Sequence, residues 1–122
     1  MLDSDRRTMD GQPNQGRAST VPVLTYEGEV DLAVAPELQA RLETTIAGGV
    51  YTIIVDLLGA TFMDSIALGV LVGALEECQS HGGNFHLVVT EPRLLKVLEI
   101  TGLTDTFVIH PDLASARRAT NS

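Results

Sequence analysis

A chain of 122 residues with 44% hydrophobic content has room for one domain with a modest core and no length for a second. Sixteen acidic side chains against eight basic ones give a net charge of −8, and the only close basic pairs, Arg6-Arg7 and Arg117-Arg118, lie at opposite ends, so a phosphate backbone would be repelled and no direct nucleic-acid partner is expected. The single Cys78 cannot form an intramolecular disulfide, the N-terminus has no apolar h-region and no segment approaches 18 uninterrupted apolar residues, so a cytoplasmic chain without a membrane partner is expected.

Residues 1–20 have almost nothing to bury and read as a flexible tail with, at most, an edge strand. Val21 to Tyr26 is apolar and β-branched enough for a strand, after which Gly28-Glu29-Val30-Asp31 is expected to turn the chain toward a helix. Pro36 suits the first turn of that helix, Leu38, Leu42 and Ile46 form its apolar stripe, and Gly48-Gly49 ends it. Tyr51 to Leu57 reads as a strand buried on both faces, because Ile53-Ile54-Val55 is a continuous β-branched run.

From Ser65 the period becomes helical, with Leu68, Leu71, Val72 and Leu75 on one face and Gly82-Gly83 as the stop. Phe85 to Val89 is the next strand. Pro92 opens a helix with Leu94, Leu95 and Leu98 inward, closed near Gly102, and Phe107-Val108-Ile109 supplies a last short strand. Asp112 is placed to cap a terminal helix whose last turn holds Arg117 and Arg118. Strands alternating with helices of this length predict an α/β domain over 21–119, with a mostly parallel sheet of four to five strands, about four helices and a short tail at 120–122.

The Asp64-Ser65 pair, at the start of the second helix, has two readings. One of the two side chains simply caps the helix, worth roughly 1 kcal/mol. Alternatively, the Ser65 hydroxyl receives a phosphate where exposed backbone N–H groups and the positive dipole end tolerate new negative charge. If the loop carrying Asp31 lies at the same sheet edge, Asp31 and Asp64 flank the hydroxyl, and a phosphate arriving between them changes what docks there.

Other chemistries fit less well. His81, His86 and His110 have no metal-ligand spacing, and His86 reads as a half-buried or surface strand residue; Asp31, Asp56 and Asp64 form only a weak divalent-cation candidate, Asp56 serving better as a turn former. The glycines match neither a Walker A loop nor a dinucleotide fingerprint, Ser65 lacks a G-x-S-x-G elbow, and Cys78 has acidic neighbours that would not activate a thiol. No catalytic residue, cofactor or metal is therefore expected.

Two segments carry a resemblance. G-E-V-D-L-A at Gly28 to Ala33 is similar to a G-E-[LIV]-D pattern, and V-D-L-L-G-A-T-F-M-D-S-I-A-L-G-V-L at Val55 to Leu71 resembles D-L-x-x-[VL]-x-F-[MI]-D-S-[ST]-G-L-x-x-L. Both belong to the STAS-domain family, specifically its stand-alone anti-sigma factor antagonists, and the resemblance runs from about Val21 to Ala119. It implies that Ser65 is the phosphoacceptor, that Asp31, Asp64, Ser65, Ile66, Ala67 and Gly69 line the partner surface, and that the partner is an anti-sigma factor of the GHKL ATPase type acting as a serine kinase, with a phosphatase to reset the cycle. A homodimer is a further expectation of the same resemblance, and the alternative to the antagonist function is a role as scaffold or regulatory subunit of a transport or stress-signalling complex. The chain departs from the pattern at Ile66 and Ala67, where the family has Ser or Thr followed by Gly.

Overall fold

The computed structural model describes residues 21–121, so the expected tail or edge strand at 1–20 lies outside the described residues. The continuous apolar run 53–55 forms the spine of the sheet. Strand β1 (Val23–Thr25) pairs in parallel with β3 (Thr52–Asp56), β3 with β5 (Asn84–Val88), and β5 with β6 (Val108–His110), giving the order β1-β3-β5-β6. Both faces of this sheet are covered, which is why β3 does not alternate. Ile53 and Val55 face one cluster with Leu24, Leu38, Leu71, Phe85 and Leu98, whereas Ile54 faces Val88 and Ala116 on the other side.

The first cluster lies beneath α1 (Ala35–Ala47), α2 (Ser65–Ser80) and α3 (Pro92–Ile100), and the second beneath α4 (Leu113–Asn121). The terminal helix thus runs two residues past the expected domain end at 119. Its start is capped as the sequence suggested, the Asp112 carboxylate accepting the Ser115 N–H at 2.7 Å. At the close of α2, Gly82 takes φ +81°, and Gly83 packs so closely on Tyr51 that a Cβ there would lie 1.8 Å from the Tyr51 carbonyl oxygen. A side chain at residue 83 is sterically impossible without moving backbone.

Two elements differ from expectation. Gly28 to Val30 is not a turn but a short strand, β2 (Gly28–Val30), paired in parallel with a further strand, β4 (Ala60–Met63), which the sequence reading did not anticipate. The reason lies in the register. The partner offset is 31 residues at Val23↔Ile54, 32 at Gly28↔Ala60 and 33 at Glu29↔Phe62, so the second segment holds two extra residues in an almost continuous ladder. Bonds from Tyr26 N–H to the Asp56 carbonyl at 3.0 Å and from Gly28 N–H to the Gly59 carbonyl at 2.9 Å bridge the break. Gly28 makes the bend at φ +75°. The β2-β4 pair is therefore a kinked extension of β1-β3 that carries two loops past the end of the main sheet.

Candidate functional site

Those two loops are Asp31–Val34, after β2, and Asp64, between β4 and α2. The Asp64 backbone N–H donates to the Val30 carbonyl at 3.3 Å, so Asp31 follows directly on the residue to which Asp64 is tied. The common sheet edge expected from the sequence is thus formed, at the carboxyl ends of two parallel strands.

Each aspartate is occupied in shaping its loop. The Asp31 carboxylate accepts the Ala33 N–H at 3.0 Å, and its carbonyl accepts the N–H groups of Val34 and Ala35 at 2.9 Å each, turning the chain into α1. Asp64 sits at φ −92°, ψ 176°, its carboxylate accepts the Ala67 N–H at 2.9 Å and its carbonyl accepts the Leu68 N–H at 3.0 Å. Asp64 is the cap of α2. The choice left open by the sequence is decided for this residue: the aspartate performs the capping, and the Ser65 hydroxyl, exposed at the first helical position, makes no hydrogen bond among the described residues. A free hydroxyl beside unpaired helix N–H groups is chemically available for modification.

The surroundings are acidic and apolar. Ile66 is 53% exposed, Phe62 49% and Leu32 63%, each on a segment that also bears Asp31, Asp64 or Ser65. Glu29 is the register partner of Phe62 and is exposed beside it. No lysine or arginine occurs in residues 28–34 or 57–70. Such a surface offers a partner apolar anchors within a negative rim. Phe62 and Leu32 were not singled out from the sequence; the signal was the alternation Glu29 out, Val30 in and Phe62 out, Met63 in, which only becomes readable once both segments are strands.

The proposed partner residues do not all share this exposure. Ser65, Ile66 and Gly69 are exposed, with open space where a Gly69 Cβ would stand, and Asp31 and Asp64 are half-buried. Ala67 is corrected: it is fully buried in the main core, because three positions after the cap the helix has turned its side chain toward Leu71 and the sheet. Its methyl meets core and not a docking protein, and only its N–H, bound to Asp64, touches the site.

Elsewhere the structure brings together two histidines that the sequence kept apart. His86, expected at or near the surface, is 5% exposed under α4, and its Nδ1 lies 3.0 Å from His110 Nε2 on the adjacent strand. Burial holds the His86 imidazole below the ordinary histidine range, and the neighbouring His110 adds to this. Cys78 is fully buried within α2, and burial pushes its thiol upward. Asp56 does serve as a turn former, its carboxylate accepting the Leu58 N–H at 3.0 Å. No group of three or more His, Cys, Asp or Glu side chains suited to a metal ion occurs among the described residues, and no helix there is long and apolar enough to cross a membrane.

Known proteins share this architecture. The STAS domain profile matches residues 12–116. An anti-sigma-B factor antagonist of Listeria monocytogenes is 34% identical over 82 residues, 67% of this chain and 72% of the relative. Among solved structures, an anti-sigma factor antagonist from Mycobacterium paratuberculosis superposes with a TM-score of 0.74 at 28% identity, covering 82% of this chain and 85% of that one. The Bacillus cell fate determinant SpoIIAA, solved in its phosphorylated form, gives a TM-score of 0.65 at 28% identity over 80% of this chain and 88% of its own. With the Gly28–Ala33 and Val55–Leu71 motifs brought together where the Asp64 N–H meets the Val30 carbonyl and a match over most of its length, the chain belongs to the STAS-domain family and groups with its anti-sigma factor antagonists.

Proposed function

We propose that this chain is the antagonist in a partner switch: unphosphorylated, it binds an anti-sigma factor and frees a sigma factor, and phosphate on Ser65 releases it. The observation that carries the reading is the division of labour at the start of α2, where Asp64 caps the helix and leaves the Ser65 hydroxyl exposed. The relatives named as anti-sigma-B factor antagonists, and the neighbour solved in a phosphorylated form, supply the partner class.

In the chemical step, the partner, acting as a GHKL-type serine kinase with Mg-ATP, directs the Ser65 Oγ at the γ-phosphorus. The Oγ–P bond forms, the bond to the β–γ bridging oxygen breaks and ADP leaves, while the hydroxyl proton passes to a base on the kinase. The product is a dianion beside Asp31 and Asp64. The phosphate raises the negative charge of a docking surface whose exposed apolar anchors are Leu32, Phe62 and Ile66. A phosphatase resets the hydroxyl. The setting is the cytoplasm, and the chain itself is substrate and competitor without catalysis of its own. Ile66, in place of a small hydroxyl residue, adds bulk beside the acceptor and selects a kinase with a matching apolar pocket.

Incubation with a cognate anti-sigma kinase and ATP is expected to add one phosphate by mass, absent in Ser65→Ala. Ser65→Asp is expected to weaken binding to that partner while Ser65→Ala preserves it. Equal binding by both variants would overturn the switch.

A further inference from the structure

Along α2, away from the acceptor, a second surface opens. A groove of about 580 Å³ runs between α1 and α2 from Ile66 to Glu77. At 1.5 Å per residue that stretch is about 16 Å long, or three helical turns. Its apolar lining includes Ile46 of α1 and Val70 of α2, both partly exposed. Gly69 and Gly73, one turn apart, are exposed, and a Cβ built on either meets nothing within 4 Å. The backbone of α2 is thus bare along one line, at a cost in helix propensity of up to roughly 1 kcal/mol for each glycine. No packing among the described residues explains that cost.

The rim has one sign. Glu43 stands on α1 and Glu77 on α2, and among the described residues no basic side chain lines the groove. α2 contains no lysine or arginine, and Arg41 of α1 is engaged elsewhere, its guanidinium donating to the Tyr26 hydroxyl at 3.2 Å and pairing with Glu37 at 3.9 Å. We infer that the groove is a docking site for a cationic amphipathic helix of another protein, which lays an apolar face against the Gly69-Gly73 line and sets lysines or arginines against Glu43 and Glu77. Glycines permit close backbone approach, and the acidic rim fixes the sign of the flanks.

Charge decides among occupants. A second copy related by a two-fold axis would bring the same acidic rim against itself. Residues 1–20 hold three aspartates against three arginines and no helical apolar stripe, so they match neither the rim nor the floor. The groove adjoins the surface of the partner-switch reading at Ile66 and rests on that reading for continuity alone. Phosphate on Ser65 would add negative charge at its end, which attracts a cationic helix, repels an acidic one and is costly to desolvate against an apolar one. The groove therefore holds its occupant in either state of the switch.

The test is an NMR titration of the ¹⁵N-labelled chain with a synthetic 14-residue helical peptide bearing leucine and alanine on one face and lysine on the flanks, beside the same peptide with glutamate flanks. The lysine peptide is expected to shift the amides of Gly69, Gly73 and Ile46, and the glutamate peptide is not. Gly73→Leu, its fold checked by circular dichroism, is expected to weaken the lysine peptide about tenfold, roughly 1.4 kcal/mol. Ser65→Asp is expected to bind it as well as or better than the parent, whereas it loses the kinase partner; the groove and the switch thus fail separately. Absence of shifts, equal shifts with both peptides, shifts spread over the whole acidic surface, or concentration-dependent shifts of Gly69 and Gly73 in the chain alone would each overturn the proposal, the last by making a second copy the occupant.

Discussion

The Asp64 carboxylate receives the backbone N–H of Ala67 at 2.9 Å, which makes the aspartate, and not the serine after it, the cap of α2. The capping role thus falls to one side chain and the proposed acceptor role to its neighbour, and substitutions can separate them. Asp64→Ala is expected to destabilise the fold by about 1 kcal/mol and Asp64→Asn, which still accepts the N–H, by a few tenths. Ser65→Ala should stay within about 0.5 kcal/mol of the parent, as for a surface position. Urea unfolding measures all three. A Ser65→Ala cost equal to that of Asp64→Ala would make the hydroxyl structural and remove the basis for a free acceptor.

Two glycines at helical ends and interiors should respond in opposite directions. Gly83→Ala places a methyl 1.8 Å from the Tyr51 carbonyl oxygen, which requires backbone movement, so a loss of several kcal/mol, beyond the roughly 1–3 kcal/mol typical of overpacking, is expected. Gly73→Ala, in the interior of α2 with open space around its Cβ, should stabilise by up to about 1 kcal/mol. Thermal melts of the two variants beside the parent give the comparison.

Much of this architecture was legible because burial and period agree. The run Ile53-Ile54-Val55 announced a strand covered on both faces, and the stripes at Leu38, Leu42 and at Leu94, Leu98 announced helices with one inward face. The β2-β4 pair was not legible, since three- and four-residue strands leave too few positions for a period to emerge, and their pairing depends on a register shift set by distant residues. Asp31, Asp64 and Ser65 stood out in the sequence because their types suit caps, turns and acceptors, and the structure shows the two aspartates shaping adjoining loops. Ala67 was misplaced for a related reason: proximity in sequence to Ser65 says nothing of facing, and one turn of helix carries it into the core. The His86–His110 contact spans 24 residues and follows only from the parallel register of β5 and β6.

Cys78 tests the packing beneath α2 directly. It is fully buried, and burial raises its thiol above the ordinary range, so little thiolate is present at neutral pH and little of the sulfur is reachable. Ellman's reagent is expected to react with the native chain at the rate of its opening and with the urea-unfolded chain at least about 100-fold faster, given a stability of several kcal/mol. Rapid reaction of the native chain would place Cys78 outside the core.

The buried His86 gives the fold a pH dependence whose sign follows from its environment. Its imidazole is lowered from 6.5 chiefly by burial and secondarily by His110, so the unfolded chain binds this proton more tightly than the native one. Stability from this residue is therefore complete above about pH 6.5 and is lost as pH falls through the lower native value. Protonation leaves His86 with donors only and brings a charge beneath α4, beside Ile54 and Val88. Asp112, which caps α4 near His110, and Glu91, which caps α3, are both held below the ordinary carboxylate range by backbone N–H groups, so their contributions disappear only at more acidic pH and leave the histidine window separate. Urea midpoints measured from pH 7.5 to 5 are expected to fall for the parent chain. In His86→Leu, which fills the same apolar surroundings without a titratable group, the midpoint should stay nearly constant across that range, while an unchanged slope in the variant would assign the dependence to other groups.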